Sequence, residues 1–285
     1  MSDLISRGAV LTASRLSNFA ILLLSPVLLV RILDVAAYGQ YQEFMIYAML
    51  LTNVCTFAVD SSLTYFIPRF PERERSFVTQ TSVITLAASA LSMSTLLLAK
   101  PLVLKLTTFD FIAPLAAYVF FFVNLNWLEY YWIAKRQPRV VLYYSAVRLM
   151  LRLSVLLLVA YATRDVLTIV WTLVAVEALR VLLVFVYLAR REMFIGGLQW
   201  SGVVEQLRFA APIGISAFMQ SAGRNIGKIF ISSTLGSVAL AYYATGSYLL
   251  PIIRVMRSGI TDAIYPELVR AHNQPGAAVR LWQRV

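Results

Sequence analysis

Eight long apolar runs, each closed by a short polar connection, constrain this chain more than any other feature of its sequence. A bilayer core takes about twenty apolar residues per helix, because backbone N–H and C=O groups inside it must be satisfied within the segment. The runs extend roughly from Arg7 to Arg31, Tyr38 to Ile67, Phe77 to Ala99, Phe111 to Ala134, Val140 to Ala162, Val166 to Leu188, Val204 to Ser233 and Val238 to Val269. They are continuous and do not alternate, which excludes a closed barrel. The expected fold is therefore all-α, a polytopic transmembrane helical bundle of about eight spans, the last two amphipathic. Composition agrees: 60% of residues are hydrophobic and 14% charged, against about 45–50% apolar in soluble chains. The first run is too long for a cleaved secretory signal, and a second span follows it at once.

Basic residues set the orientation, because Lys and Arg are retained on the cytoplasmic side. Arg7, then Arg69, Arg73 and Arg75, then Lys135, Arg136 and Arg139, then Arg190 and Arg191, and finally Arg270, Arg280 and Arg284 mark one side. The alternate connections hold Arg31, Lys100, Lys105 and Arg164. Both termini are expected in the cytoplasm. The net charge of +11 belongs mostly to these loops and calls for no nucleic acid, since no soluble basic module is present. The longest connection is about fourteen residues, Ala189 to Gly202, and leaves no room for an external catalytic domain. Cys55 and His272 are the only residues of their types. No His/Cys metal cluster is possible within one chain, and His272 sits in a polar tail, a poor place for a catalytic triad. No enzyme activity, catalytic residue, metal or cofactor is expected.

The sequence repeats itself at an offset of about 200 residues. The stretch from Arg31 to Tyr41 aligns with Ser233 to Tyr243; Leu33/Leu235, Ala37/Ala239 and Tyr41/Tyr243 coincide, and Asp60 meets Asp262 at the same spacing. An even number of spans separates the copies, so the two halves share one orientation, the parallel kind of duplication found in transporters. Residues 1–195 form a six-helix lobe, and residues 196–285 begin a second lobe with two helices and a tail.

Arg31-Ile32-Leu33 followed by Tyr38-Gly39-Gln40-Tyr41 resembles the signature after the first helix of the polysaccharide and O-antigen flippases, in the multidrug/oligosaccharidyl-lipid/polysaccharide exporter superfamily. Leu235-Gly236 with Tyr242-Tyr243, and Tyr265-Pro266-Glu267-Leu268 closing the eighth run, are similar to that family's second half. Asp34 stands where the family usually has glycine. The family normally has twelve or fourteen helices, so the second lobe here is expected to be truncated or completed by a partner. The resemblance implies a flippase of the bacterial inner membrane carrying lipid-linked oligosaccharides on polyprenyl pyrophosphate, among membrane lipids and other polysaccharide-assembly proteins.

Ionisable groups inside spans are costly and by default face a cavity, a partner or a substrate path. Arg148 and Arg152 lie one turn apart on the fifth span, Arg224 and Lys228 likewise on the seventh, and Arg254 and Arg257 three apart on the eighth. At 1.5 Å per residue, Arg148 and Arg152 sit about 12–18 Å from the start of their run. One reading is a cationic, water-filled cavity for pyrophosphate and acidic sugars, which guanidinium forks suit. The other is that the cations snorkel to water or are neutralised by Glu129, Glu177 and Asp262. The seventh span is rich in Gly, Ser, Asn and Gln, and its repeat counterpart carries Arg15 and Asn18; both are expected either to line the cleft or to pack closely through small residues. Arg15, Asn18, Arg148, Arg152, Arg224, Lys228, Arg254 and Arg257 are the substrate-binding candidates. Asp60, Glu129, Glu177 and Asp262 are candidates for ion coupling, although Arg180, one turn from Glu177, also offers that carboxylate an internal ion pair.

Three other functions compete. A drug exporter of the same superfamily favours an acidic cavity, which the basic pairs oppose. A membrane glycan polymerase or ligase usually needs a long external loop rich in Arg and His, and none is present. An assembly subunit without transport activity is the third.

Overall fold

The structure is a computed structural model that describes residues 24–105, 107–194 and 196–247. Every regular element among the described residues is helical: α1 over 24–32, α2 (Val35–Thr56), α3 (Val59–Arg69), a 3-10 turn (Pro71–Arg73), α4 (Glu74–Leu98), α5 (Lys100–Val103), α6 (Ile112–Val123), α7 (Leu128–Ala134), α8 (Pro138–Thr163), α9 (Val166–Arg190) and α10 (Trp200–Gly246). The chain divides into two compact units, Met1–Tyr242 and Tyr243–Val285; apart from the last turn of α10, these elements belong to the first. Among the described residues, six stretches are long and apolar enough to cross a membrane: Val35–Arg69, Pro71–Leu98, Ile112–Ala134, Pro138–Thr163, Val166–Arg190 and Trp200–Gly246. Most of the first and eighth expected runs lies outside the described residues. Leu98, Leu158, Tyr161, Leu183 and Phe230 are mostly exposed, which suits side chains whose solvent is hydrocarbon.

Two spans that read as single runs are broken helices. The second stops at Thr56, places Phe57 (φ 42°) and Ala58 (φ 57°) in the left-handed region, and restarts at Val59. The fourth stops at Val123, turns through Leu125 (φ 59°) and restarts at Leu128. Left-handed backbone costs a residue with a Cβ about 1–2 kcal/mol, and neither break contains a glycine. Phe57 and Ala58 are apolar and leave no mark in the hydrophobicity of the second span, whereas Leu125 is flanked by Asn124 and Asn126, a polar interruption of the fourth.

The connection expected over Thr234–Ser237 shrinks to one residue. α10 runs through it with a single non-helical position, Gly236, at φ 84° and ψ −179°. A glycine accepts that conformation without a Cβ clash, so the helix resumes at once. The equivalent position in the first repeat, Asp34, uses different chemistry. It caps α2, its carboxylate accepting from Ala37 N–H at 2.7 Å, the usual service of an N-cap aspartate.

α6 is central, packing against α2, α4 and α9; α8 packs on α9 and α7, and α3 on α4 and α7. Apolar packing gathers in two zones. Towards the start of α2 and α6, Phe44 meets Phe111 and Tyr118 edge-on. At the arginine-rich end, Leu63, Phe66, Phe77, Trp127, Trp132, Val184 and Leu188 form one buried cluster. α10 runs antiparallel to α2 and α3 through small and polar contacts. Gly39 lies directly against the Ser237 carbonyl; a Cβ on Gly214 would stand 2.6 Å from the Phe57 carbonyl oxygen. Asn53 donates to Ser221 Oγ at 3.0 Å, and Gln206 Nε2 to Thr81 Oγ1 at 3.1 Å.

Candidate functional site

Five charged side chains meet where the fourth span breaks. Arg180 of α9 donates from Nη2 to the carbonyls of Phe121 (2.8 Å), Phe122 (3.0 Å) and Asn124 (3.0 Å). These are carbonyls that the interrupted helix leaves without an i+4 donor, and a cation at a helix C-terminus also complements its dipole. The break is thus stabilised by a residue on another span. Asn124 adds to it, donating to Ser89 Oγ at 2.8 Å.

One turn before Arg180 stands Glu177, 1% exposed. Its carboxylate is reached by three guanidinium groups: Arg180 Nε at 2.5 Å, Arg148 Nη2 at 3.5 Å and Arg152 Nη1 at 3.8 Å. Arg148 also donates to Asn126 Oδ1 at 2.8 Å and pairs with Glu129 at 3.4 Å. Arg148 lies over the Phe122 ring at 5.1 Å and Arg152 over the Tyr118 ring at 5.6 Å, positions in which the π-face stabilises a partly desolvated cation. Glu177 follows Val166 by eleven residues and precedes Arg190 by thirteen, which puts the cluster about 16–20 Å from either end of its helix, near mid-depth.

The three guanidinium groups carry three positive charges and Glu177 with Glu129 two negative ones, an excess of one positive charge. Nη1 of Arg180 is buried and has no hydrogen-bond acceptor among the described residues. Arg148 and Arg152 retain 15% and 19% exposure. The site is therefore charged, partly exposed and cationic, even though its arginines are also paired with acids.

Four of the candidates read from sequence come together here: Arg148, Arg152, Glu129 and Glu177. Arg224 and Lys228 do not join them. They lie on α10, Arg224 exposed and Lys228 half-buried, and no hydrogen bond or ion pair between described residues ties them to the cluster. Asp60 is buried at the start of α3, where its carboxylate accepts from Ser61 N–H at 2.8 Å; a carboxylate in a first helical turn is favourably placed. Arg15, Asn18, Arg254, Arg257 and Asp262 lie outside the described residues. The sequence reading noticed the Glu177–Arg180 pair but not that Arg180 holds the broken span. It missed Glu43, which is 1% exposed; its carboxylate accepts from Thr108 N–H at 3.2 Å and from the Thr108 hydroxyl. Glu43 stands alone in an apolar run, which is the intramembrane signal that could have found it. No group of three or more His, Cys, Asp or Glu suited to a metal occurs among the described residues.

An all-α bundle of apolar spans enclosing a charged cluster at the break of a discontinuous helix defines a multi-pass membrane protein. The chain belongs to the polysaccharide biosynthesis protein family, whose model matches residues 4–272. No curated protein and no solved structure matches it significantly.

Proposed function

We propose that the chain is a flippase: it moves a glycan linked to polyprenyl pyrophosphate across a bacterial inner membrane by alternating access, without covalent chemistry, and with both termini in the cytoplasm. The observation that carries this reading is the excess of guanidinium over carboxylate charge at mid-depth, around Arg148, Arg152 and Arg180. An uncompensated cation within a bilayer is expensive, and the pyrophosphate of a lipid-linked glycan is the anion that polysaccharide assembly brings there. Arginine holds phosphate oxygens through paired, charge-assisted hydrogen bonds. The broken fourth span agrees with it, since transporters commonly build substrate sites from discontinuous helices. Membership of a polysaccharide biosynthesis family supports the cargo class. The lobe over residues 1–195 supplies this cluster.

The test replaces the chromosomal copy by Arg148→Gln, Arg152→Gln and the double variant, and scores cell-surface glycan alongside the amount of folded protein in the membrane. Loss of surface glycan with normal protein levels is the expected result. Full export by the double variant overturns the proposal.

A further inference from the structure

The two carboxylates of the cluster are held very unequally. Glu177 is 1% exposed and touches three guanidinium groups, the nearest at 2.5 Å. Glu129 is 29% exposed and, among the described residues, makes one ion pair, 3.4 Å to Arg148 Nη1. Charge-assisted N–H···O bonds are ordinarily about 2.7–2.9 Å; Glu177 has one such close bond, to Arg180, besides its two longer contacts, whereas Glu129 has only its long one. Arg148 does not depend on it for position: the same nitrogen donates to Asn126 Oδ1 at 2.8 Å, and the guanidinium rests on Phe122.

We propose that Glu129 is a resident counter-ion of Arg148 that a phosphate of the substrate displaces on binding. This deepens the flippase reading and rests on it. An anion entering the cluster meets Glu177 buried among three arginines and Glu129, partly exposed, held by one long contact. Displacing Glu129 costs one weak pair, and its carboxylate, already partly exposed, is rehydrated. The phosphate oxygens then take Arg148 together with Arg152, one turn along the same helix face. When the substrate leaves, Glu129 returns to Arg148. The empty site then carries one excess positive charge instead of two, which lowers the barrier to release. Binding and release are thus coupled through competition between two anions for one guanidinium. No bond is made or broken and no proton is required.

The proposal makes an unusual demand: removing the Glu129 charge must strengthen binding and weaken transport together. The full chain is placed in nanodiscs of neutral phosphatidylcholine and titrated with a short-chain polyprenyl pyrophosphate and, separately, with inorganic pyrophosphate. Phosphatidylglycerol serves as a competitor. Wild type is expected to bind the polyprenyl pyrophosphate, and Glu129→Gln to bind it about threefold to tenfold more tightly, the scale of one partly exposed ion pair. Glu129→Asp should stay close to wild type, and Arg148→Gln should lose binding. Inorganic pyrophosphate should rank the variants in the same order. In cells, Glu129→Gln should lower surface glycan despite its tighter binding, which a merely structural role does not produce. If Glu129→Gln fails to fold, Glu129→Ala replaces it with the same expectation.

Equal or weaker binding by the Glu129 variants, with binding lost in Arg148→Gln, overturns the displacement and leaves the arginine site standing. Binding unaffected in Arg148→Gln and in the double variant Arg148→Gln/Arg152→Gln overturns the site itself. Displacement of the probe by equimolar phosphatidylglycerol marks a general lipid-phosphate site and also overturns the proposal.

Discussion

Glu177 and Arg180, one turn apart on α9, hold each other at 2.5 Å while Arg180 closes the broken end of α6. The pair fixes a carboxylate between Arg148 and Arg152 and fixes a guanidinium on three carbonyls, so the charged site and the helix break are one construction. Removing one side of it leaves the other buried without its closest partner. Glu177→Gln leaves Arg148, Arg152 and Arg180 with Glu129 as their one remaining carboxylate in the cluster, and such a loss costs about 3–5 kcal/mol. The expected outcome is a large fall in melting temperature in detergent and little folded protein in the membrane. Glu177→Asp should recover part of it. A double variant, Glu177→Gln with Arg180→Gln, should be less impaired than the two single effects added together, because the partners interact directly.

Arg180→Lys tests the other half of the pair. Lysine keeps the charge but offers one ammonium in place of a planar fork, and one ammonium cannot serve Glu177 and the carbonyls of Phe121, Phe122 and Asn124 together. Hydrogen exchange should accelerate locally at residues 124–128 before global stability falls. Exchange unchanged across that segment would show that the break holds itself.

Much of the architecture was legible in the sequence because burial in lipid leaves a length signature. Each of the runs that the structure describes in full became one spanning element or a pair in series. The break of the second span was not legible, and that of the fourth left only the polar pair Asn124 and Asn126. Phe57, Ala58 and Leu125 adopt left-handed backbone with no glycine or proline to announce it; the stabilisation comes from tertiary partners such as Arg180, 55 residues after Leu125. The site was half legible. Arg148 and Arg152 announced themselves as charges one turn apart in an apolar run, and two of the three acids named as neutralisers, Glu129 and Glu177, are partners found here, the third, Asp262, lying outside the described residues. Arg224 and Lys228 show the same spacing on α10 without joining the cluster, since i,i+4 spacing fixes a common face and says nothing about what that face meets.

Gly39 permits a prediction about the seam between the repeats. It belongs to the motif after the first span and touches the Ser237 carbonyl in the equivalent motif of the second. Gly39→Ala drives a methyl group into backbone, and overpacking of that kind costs about 1–3 kcal/mol. Gly223 on α10 has nothing within 4 Å of where a Cβ would stand, so Gly223→Ala should be neutral or stabilising by up to about 1 kcal/mol. Thermal unfolding of the two variants, followed by size-exclusion recovery after heating, should move in opposite directions or leave Gly223→Ala unmoved. A Gly39→Ala variant as stable as wild type would mean that the two motifs can separate at no cost.

Asp165 offers a test outside the membrane-spanning segments, at the start of α9. Its carboxylate accepts from Thr168 N–H at 2.8 Å and from the Thr168 hydroxyl at 2.6 Å, and these bonds, the hydroxyl's first, hold it below its usual value of 3.8. A carboxyl with a lowered folded value binds fewer protons than it does in the unfolded chain, so its stabilisation is complete above about pH 4 and is lost as pH falls through the folded value. Exchange of the Thr168 amide should therefore lose protection on acidification below that point. Asp165→Asn keeps an effective N-cap but has no proton to take up, so its protection should stay flat over the same range. Asp165→Ala should lose about 1 kcal/mol at neutral pH, a difference that shrinks as acid removes the wild-type contribution. Were Asp165→Asn to show the same acid sensitivity as wild type, the titrating group would lie elsewhere and the cap would be carried by the Thr168 amide geometry alone.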